Sequence, residues 1–384
     1  MMNRVHRHRA ARLAAPVLAL AAGLTTLTGP AVGAPDGPGA ATSPALRALG
    51  DARGGPRAEA ATFASDPGTQ VSGPNTFPRD LAVSSSGRRA FALDEDRLAV
   101  LDVTRRPSPV VGRTGNVFGT DIAVRRGGRW AYVVNDQQLY VVDVRRQRPR
   151  LARVVSTRTP TDALDVVVAP DGRHLYVAYG SGFPTGRGNG VRVLSLRDPA
   201  RPQPVARFDT GTFPQGIAVS RDGDRVVTAN ALVGDVTVAN TSNPARPRIV
   251  RARLDLPFDV ESVAMVGRTA YAYGDADARV AVVSATRGRL QRVRNIAPGN
   301  EGGPDLIASG DGRLLFATHS QQPPDRVVSV VRRSDLTSVQ AFQGTSFPRG
   351  LATATTGPAA GDFFVTAGLG LSEPKGFFPF SRTP

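Results

Sequence analysis

The chain has 384 residues, 41% of them hydrophobic, with 41 Gly, 31 Pro and no Cys. The missing thiol excludes a disulfide framework, a thiolate zinc site, a cysteine nucleophile and a lipoprotein anchor, and the Gly and Pro content argues for many short strands rather than helices. The formal net charge of +16 is almost wholly arginine, Lys375 being the only lysine, and predicts attraction to polyanions.

Arg4, Arg7, Arg9 and Arg12 precede a mostly apolar run from Leu13 to Leu27, and small residues follow at Ala31, Gly33 and Ala34. That order reads as a cleaved signal peptide over residues 1–34. The apolar run is shorter than the roughly 20 residues that span a bilayer, and no later segment is long and apolar enough to span. The mature protein is therefore expected outside the cell or at its envelope. Residues 35–61, rich in Ala, Gly and Pro, read as a flexible linker, which leaves residues 62–384 for the folded domain.

Within that domain one short strand recurs: Leu81-Ala82-Val83, Ile122-Ala123-Val124, Val166-Val167-Val168, Ile217-Ala218-Val219, Val263-Ala264-Met265, Leu306-Ile307-Ala308 and Leu351-Ala352-Thr353. The starts lie 41 to 51 residues apart, a period of propeller blades or helical arrays. The interior of each unit decides between them. A Gly turn leads to a second strand, as in Gly172 then Leu175-Tyr176-Val177-Ala178, and a Val- and Leu-rich third strand follows, as in Val191 to Leu196. A fourth short strand precedes the next unit, and four strands per repeat make a blade. The expectation is an all-β, single β-propeller of seven four-stranded blades. The last unit is short, so Phe377-Phe378-Pro379-Phe380 is assigned as its third strand and the stretch around Thr62-Phe63-Ala64 as a donated outer strand. Six blades with added decoration is the alternative.

Pro170-Asp171-Gly172-Arg173-His174-Leu175-Tyr176-Val177-Ala178 resembles the repeat of the YVTN family of propellers. Asp198-Pro199-Ala200-Arg201-Pro202 and Asn243-Pro244-Ala245-Arg246-Pro247 are similar to the related LVIVD repeat. The resemblance spans about residues 76 to 368 and implies the fold. It leaves activity open, because such propellers include surface proteins, binders and a few enzymes, among them lactonases.

Propeller connectivity sorts the loops onto two faces, and the charges sort with them. Loops on the face where first strands begin, the top, carry most of the acids, and Asp80, Asp121, Asp165, Glu261 and Asp305 stand just before first strands. These five are the candidate ligand-binding residues of the channel mouth, where converging carboxylates would attract a cationic ligand or a hard cation such as Ca²⁺. The structural alternative is that each Asp accepts backbone N–H groups where its own strand begins. Gly216 and Gly350 interrupt the ring. The long loop of residues 180–190 is expected to rise over this face, with Phe183 and Arg187 as its contact residues.

The bottom loops are dominated by arginine, including Arg105, Arg106, Arg145, Arg146, Arg148, Arg332 and Arg333. A basic face suits an anionic envelope polymer or a protein partner. Trp130 and Tyr132 fall within a strand, so no aromatic platform of the kind that stacks bases is expected and specific nucleic-acid recognition is not supported. Catalytic residues are sparse: His319 beside Asp305 or Asp325 is the one candidate acid/base pair, and no Gly-x-Ser-x-Gly elbow occurs. The residues favour an exported, monomeric, non-enzymatic binding or scaffolding propeller that uses its top face and its arginine face. The alternatives are a lactonase-type hydrolase with a cation at the channel mouth, and a non-specific polyanion binder.

Overall fold

In the computed structural model, the described residues are 47–49, 62–66, 68–71, 78–145, 149–181, 188–274, 278–320, 326–343, 348–367 and 376–383. They are all β, and seven antiparallel sheets radiate from a common axis. Blades 1 to 6 follow the chain, their innermost strands being Asp80–Val83, Asp121–Val124, Ala163–Val168, Pro214–Val219, Ser262–Val266 and Leu306–Ala308. Blade 7 starts from Pro348–Thr353. Seven blades are present, as the repeat predicts.

The burial pattern explains why the sequence shows unbroken apolar runs. Each blade packs a neighbour on both faces, so a middle strand buries side chains pointing either way, and alternation disappears. Arg89–Leu93 in blade 1 and Arg225–Asn230 in blade 4 are buried almost end to end. The outer strands face solvent and change character accordingly. Arg248–Asp255 and Arg289–Asn295 are exposed along nearly their whole length and are studded with arginine. Charge on an open edge resists pairing with another chain.

Ring closure joins residues 63–65 to the last strand. Phe63–Ser65 forms the outer strand of blade 7, antiparallel to Gly376–Arg382 with Phe63 opposite Arg382 and Ser65 opposite Phe380. Phe63–Ser65 and Gly376–Arg382 therefore lie in one sheet, as the short last unit predicts. Phe63 is 3% exposed and meets Phe316 and Phe363 edge-on, at ring centroid distances of 5.5 and 5.1 Å. Its backbone is clasped by one side chain of blade 6: the Phe63 N–H donates to Gln340 Oε1 at 2.8 Å, and Gln340 Nε2 donates to the Phe63 carbonyl at 2.7 Å. The strand Arg47–Leu49, further upstream, pairs with Thr337–Gln343 and gives blade 6 a fifth strand that the repeat pattern does not anticipate.

Arg106 ties the same seam from blade 1. Its guanidinium donates to Asp66 at 2.8 Å and to Asp362 at 2.5 Å, and it lies over the Phe364 ring at 5.8 Å. Neighbouring Arg105 is exposed. Arg106→Ala is expected to cost about 1.5–3 kcal/mol, the worth of hydrogen bonds between charged groups. Arg105→Ala should change stability by less than about 0.5 kcal/mol. Urea unfolding of the two variants measures the difference, and equal losses would contradict the assignment of Arg106 to the seam.

Candidate functional site at the channel mouth

The top end of the axial channel opens into a cavity of about 450 Å³ lined by residues of all seven blades. Its wall is built at one repeated position, the residue before the recurring apolar triplet of each innermost strand. Read around the ring, that position holds Asp80, Asp121, Asp165, Gly216, Ser262, Asp305 and Gly350. At five of the seven junctions its side chain crosses to the next blade and accepts a backbone N–H. Asp80 takes that of Ile122 at 3.0 Å, Asp121 that of Val166 at 2.6 Å, and Asp165 that of Ile217 at 2.7 Å. Ser262 takes that of Leu306 at 3.1 Å, and Asp305 that of Leu351 at 2.7 Å.

The bonds therefore run between blades. Turn chemistry alone would have each Asp cap its own strand, whereas the acceptor serves the strand of the following blade. The two glycines follow from close approach. A Cβ on Gly350 would lie 2.5 Å from Asp80 Oδ1, and one on Gly216 would lie 2.8 Å from the Glu261 carbonyl oxygen.

Glu261 lines the cavity one residue ahead of the ring position, and its N–H donates to the Tyr273 carbonyl at 2.8 Å. Ser262, which the search for acidic residues missed, holds the ring position of blade 5 and also donates to Asp305 at 3.4 Å. Counting back one residue from Val263, as from the other six aligned starts, would have found it. Phe183 and Arg187 lie outside the described residues, as do Arg146, Arg148 and Asp325.

The carboxyls of Asp80, Asp165 and Asp305 touch the channel yet have protein around them, so burial is the main cause of their raised pKa values. Asp80 and Asp165 are held well above the usual carboxylate range, first by burial and then by the charge and hydrogen bonding of Asp121 between them. Asp305 is pushed up to about 7, again chiefly by burial, with a smaller push from the Asp121 charge and opposing bonds from Leu351, Leu306 and Ser262. Among the described residues no group of three or more His, Asp or Glu side chains has the arrangement of a metal site.

The remaining lining differs in chemistry. Arg79 and Arg349 are exposed at the rim beside blades 7 and 1, and Arg79 pairs with Glu95 at 3.1 Å. Burial of part of its guanidinium and the charge of Arg79 hold Arg349 below its usual range. Phe213 and Gln215 line the cavity from blade 4. Phe213 has a φ of 58°, a left-handed conformation costly for an aromatic residue. It is held there by its N–H, which donates to Asn189 at 3.2 Å, and by its carbonyl, which accepts from Ala231 at 3.0 Å.

His319 does not pair with Asp305. It is fully buried in blade 6, with Nδ1 against the Glu301 carbonyl at 3.0 Å and Nε2 against Ser329 Oγ at 2.8 Å. On the bottom face several arginines have structural partners. Arg332 pairs with Asp335 at 2.9 Å, Arg145 with Asp143 at 3.3 Å, and Arg333 donates to the Tyr271 hydroxyl at 2.9 Å.

The chain is a seven-bladed β-propeller. No protein-family model matches it, and no curated protein matches it by sequence. The YVTN and LVIVD likeness therefore rests on the quoted repeats alone. Among solved structures it is similar to a chain of Kuenenia stuttgartiensis hydrazine synthase, with a TM-score of 0.62 and 16% identity over 80% of this chain and 95% of that one. At that identity the similarity concerns fold. Among the described residues no helix is long and apolar enough to cross a membrane.

Proposed function

We propose that this protein is an exported, non-catalytic binding propeller acting at or outside the cell envelope, with the channel mouth as its ligand surface and the arginine-rich bottom face as its contact with anionic envelope material. One observation carries the reading: the ring side chains each hold a backbone N–H of the next blade. Groups used in this way brace a preformed concave cup, and a rigid cup favours recognition because little ordering is needed on binding. Export rests on the N-terminal pattern of residues 1–34.

The lactonase-type alternative draws support from the Asp80, Asp121 and Asp165 arc, whose carboxyls line one cavity and would attract a Ca²⁺ ion. The deciding experiment uses the mature protein at pH 8, above the value of about 7 for Asp305. Thermal midpoints are measured with EDTA and then with excess Ca²⁺, Mg²⁺ or Mn²⁺, alongside turnover of a sugar lactone. A binding module shows no turnover above background. Turnover together with a saturable cation-dependent rise in midpoint would overturn the reading in favour of the hydrolase. For the bottom face, the protein should co-sediment with an isolated anionic wall polymer at low salt and dissociate as salt rises. Failure to sediment at low salt would remove envelope contact from the proposal.

A further inference from the structure

A second cavity, of about 400 Å³, opens on the bottom face between blades 2 and 3, and it shares no lining residue with the channel mouth. It is lined by Arg125, Arg126, Arg129 and Trp130 of blade 2 and by Asp198, Pro199 and Ala200 of blade 3. In the sequence Trp130 opens a strand and stands apart from loop chemistry. In the fold the turn of residues 125–129 bends back over it, and the Arg129 guanidinium lies over its ring at 4.9 Å. Gly127 makes that turn possible with a φ of 95°, a conformation that side-chain-bearing residues rarely adopt.

The walls are pre-organised. Arg125 donates to the Gly172 carbonyl at 2.7 Å, and Arg129 lies 3.6 Å from Asp143 as well as over the Trp ring. The blade 3 side is pinned to blade 2 by the Tyr132 hydroxyl, which donates to the Pro199 carbonyl at 2.9 Å. Asp198 closes its own turn by accepting the Ala200 N–H on Oδ1 at 3.0 Å. Arg126 is exposed at the rim, and its guanidinium has no hydrogen bond or ion pair among the described residues. Fixed cations flank one unpaired guanidinium, and a carboxylate acceptor stands across the pocket.

We infer that this pocket binds an acidic saccharide unit, its carboxylate on Arg126 and Arg129 and its hydroxyls on Asp198. A guanidinium fork matches a carboxylate geometrically. A carboxylate acceptor beside it disfavours a bare multivalent anion and favours a ligand that brings O–H donors. The volume suits a single pyranose ring. The inference deepens the basic-face reading by giving that face a discrete subsite. Its test uses a small sugar acid, so that the subsite and polymer retention can fail separately.

Trp130 is the only tryptophan in the chain, so intrinsic tryptophan emission reports this pocket alone. The mature protein is titrated with glucuronate, with glucose and with inorganic phosphate. A saturable emission change with glucuronate is expected, with binding at least about tenfold weaker for glucose and for phosphate. Arg126→Gln should weaken glucuronate binding at least about tenfold, while Arg287→Gln, which removes one exposed charge from the same face at blade 5, should leave it unchanged. Unfolding midpoints of both variants verify that they fold. No emission change with glucuronate, equal binding of phosphate, or equal losses in the two variants would each overturn the inference.

Discussion

Phe63→Ala is expected to lower the unfolding free energy by about 3–5 kcal/mol, the usual cost of deleting a buried aromatic ring. The site is three residues of strand at the far end of the sequence from its sheet partner, yet the ring is 3% exposed and packs among Phe316, Phe363 and Phe380, with Phe363 and Phe380 stacked at 4.4 Å. Little nearby can collapse into the void, because these rings belong to two different blades. Gln340→Ala attacks the same seam differently: it leaves the buried N–H and carbonyl of Phe63 without their partner, at about 1–3 kcal/mol for each group. Phe118→Ala, at a ring that is 45% exposed, should cost under about 0.5 kcal/mol. Urea unfolding of the three variants gives the ranking. Equal, small losses at Phe63 and Phe118 would mean that the N-terminal strand does not close the ring.

Asp305→Asn is expected to stabilise the protein at pH 8 and to have little effect at pH 4. In the fold Asp305 keeps its proton to about pH 7, whereas an aspartate in the unfolded chain loses it near 3.9. Between those values the folded state binds more protons, so stability declines as pH rises. The cost is fully present above about pH 7 and absent below about pH 4. Asparagine keeps an oxygen for the Leu351 N–H and never ionises, so it removes the cost without breaking the inter-blade bond. Because channel water reaches the side chain, a gain of about 2 kcal/mol is expected at pH 8. With Asp305 raised to about 7, the parent protein should lose stability on going from pH 5 to pH 8, and the raised values of Asp80 and Asp165 act in the same direction. Equal effects of Asp305→Asn at pH 4 and pH 8 would show that Asp305 titrates in the fold as it does in the unfolded chain, and would remove its raised pKa from the account.

How far the candidate sites were legible differs from residue to residue. Asp80, Asp121, Asp165 and Asp305 could be found because each precedes a strand whose apolar triplet repeats. Their carboxyls were open to reading as ligands for a cation, since a sequence does not show that one oxygen serves the next blade. Ser262 was missed because attention to charge selected Glu261, one residue away, and a one-residue displacement along a strand turns the side chain to the other face. Arg106 was assigned to the basic bottom face by its loop, and only the approach of Asp66 and Asp362 makes it a seam residue. The same holds for Trp130, which is adjacent in sequence to Arg129 and shares a cavity with Asp198 only through blade packing.

The sequence by itself determined the blade. The period of the repeat, the Gly turns and the unbroken apolar middle strands are local properties, set by how a four-stranded sheet buried on both faces must be written. Its short final unit also pointed to the stretch around Phe63 as the strand that completes it. The tertiary structure alone decided which side chains act across a junction. Contacts between blades join residues about 45 positions apart, and closure joins Phe63 to Gln340. Those pairings follow from the angle at which one twisted sheet packs on the next, a property of the assembled ring that no single repeat encodes.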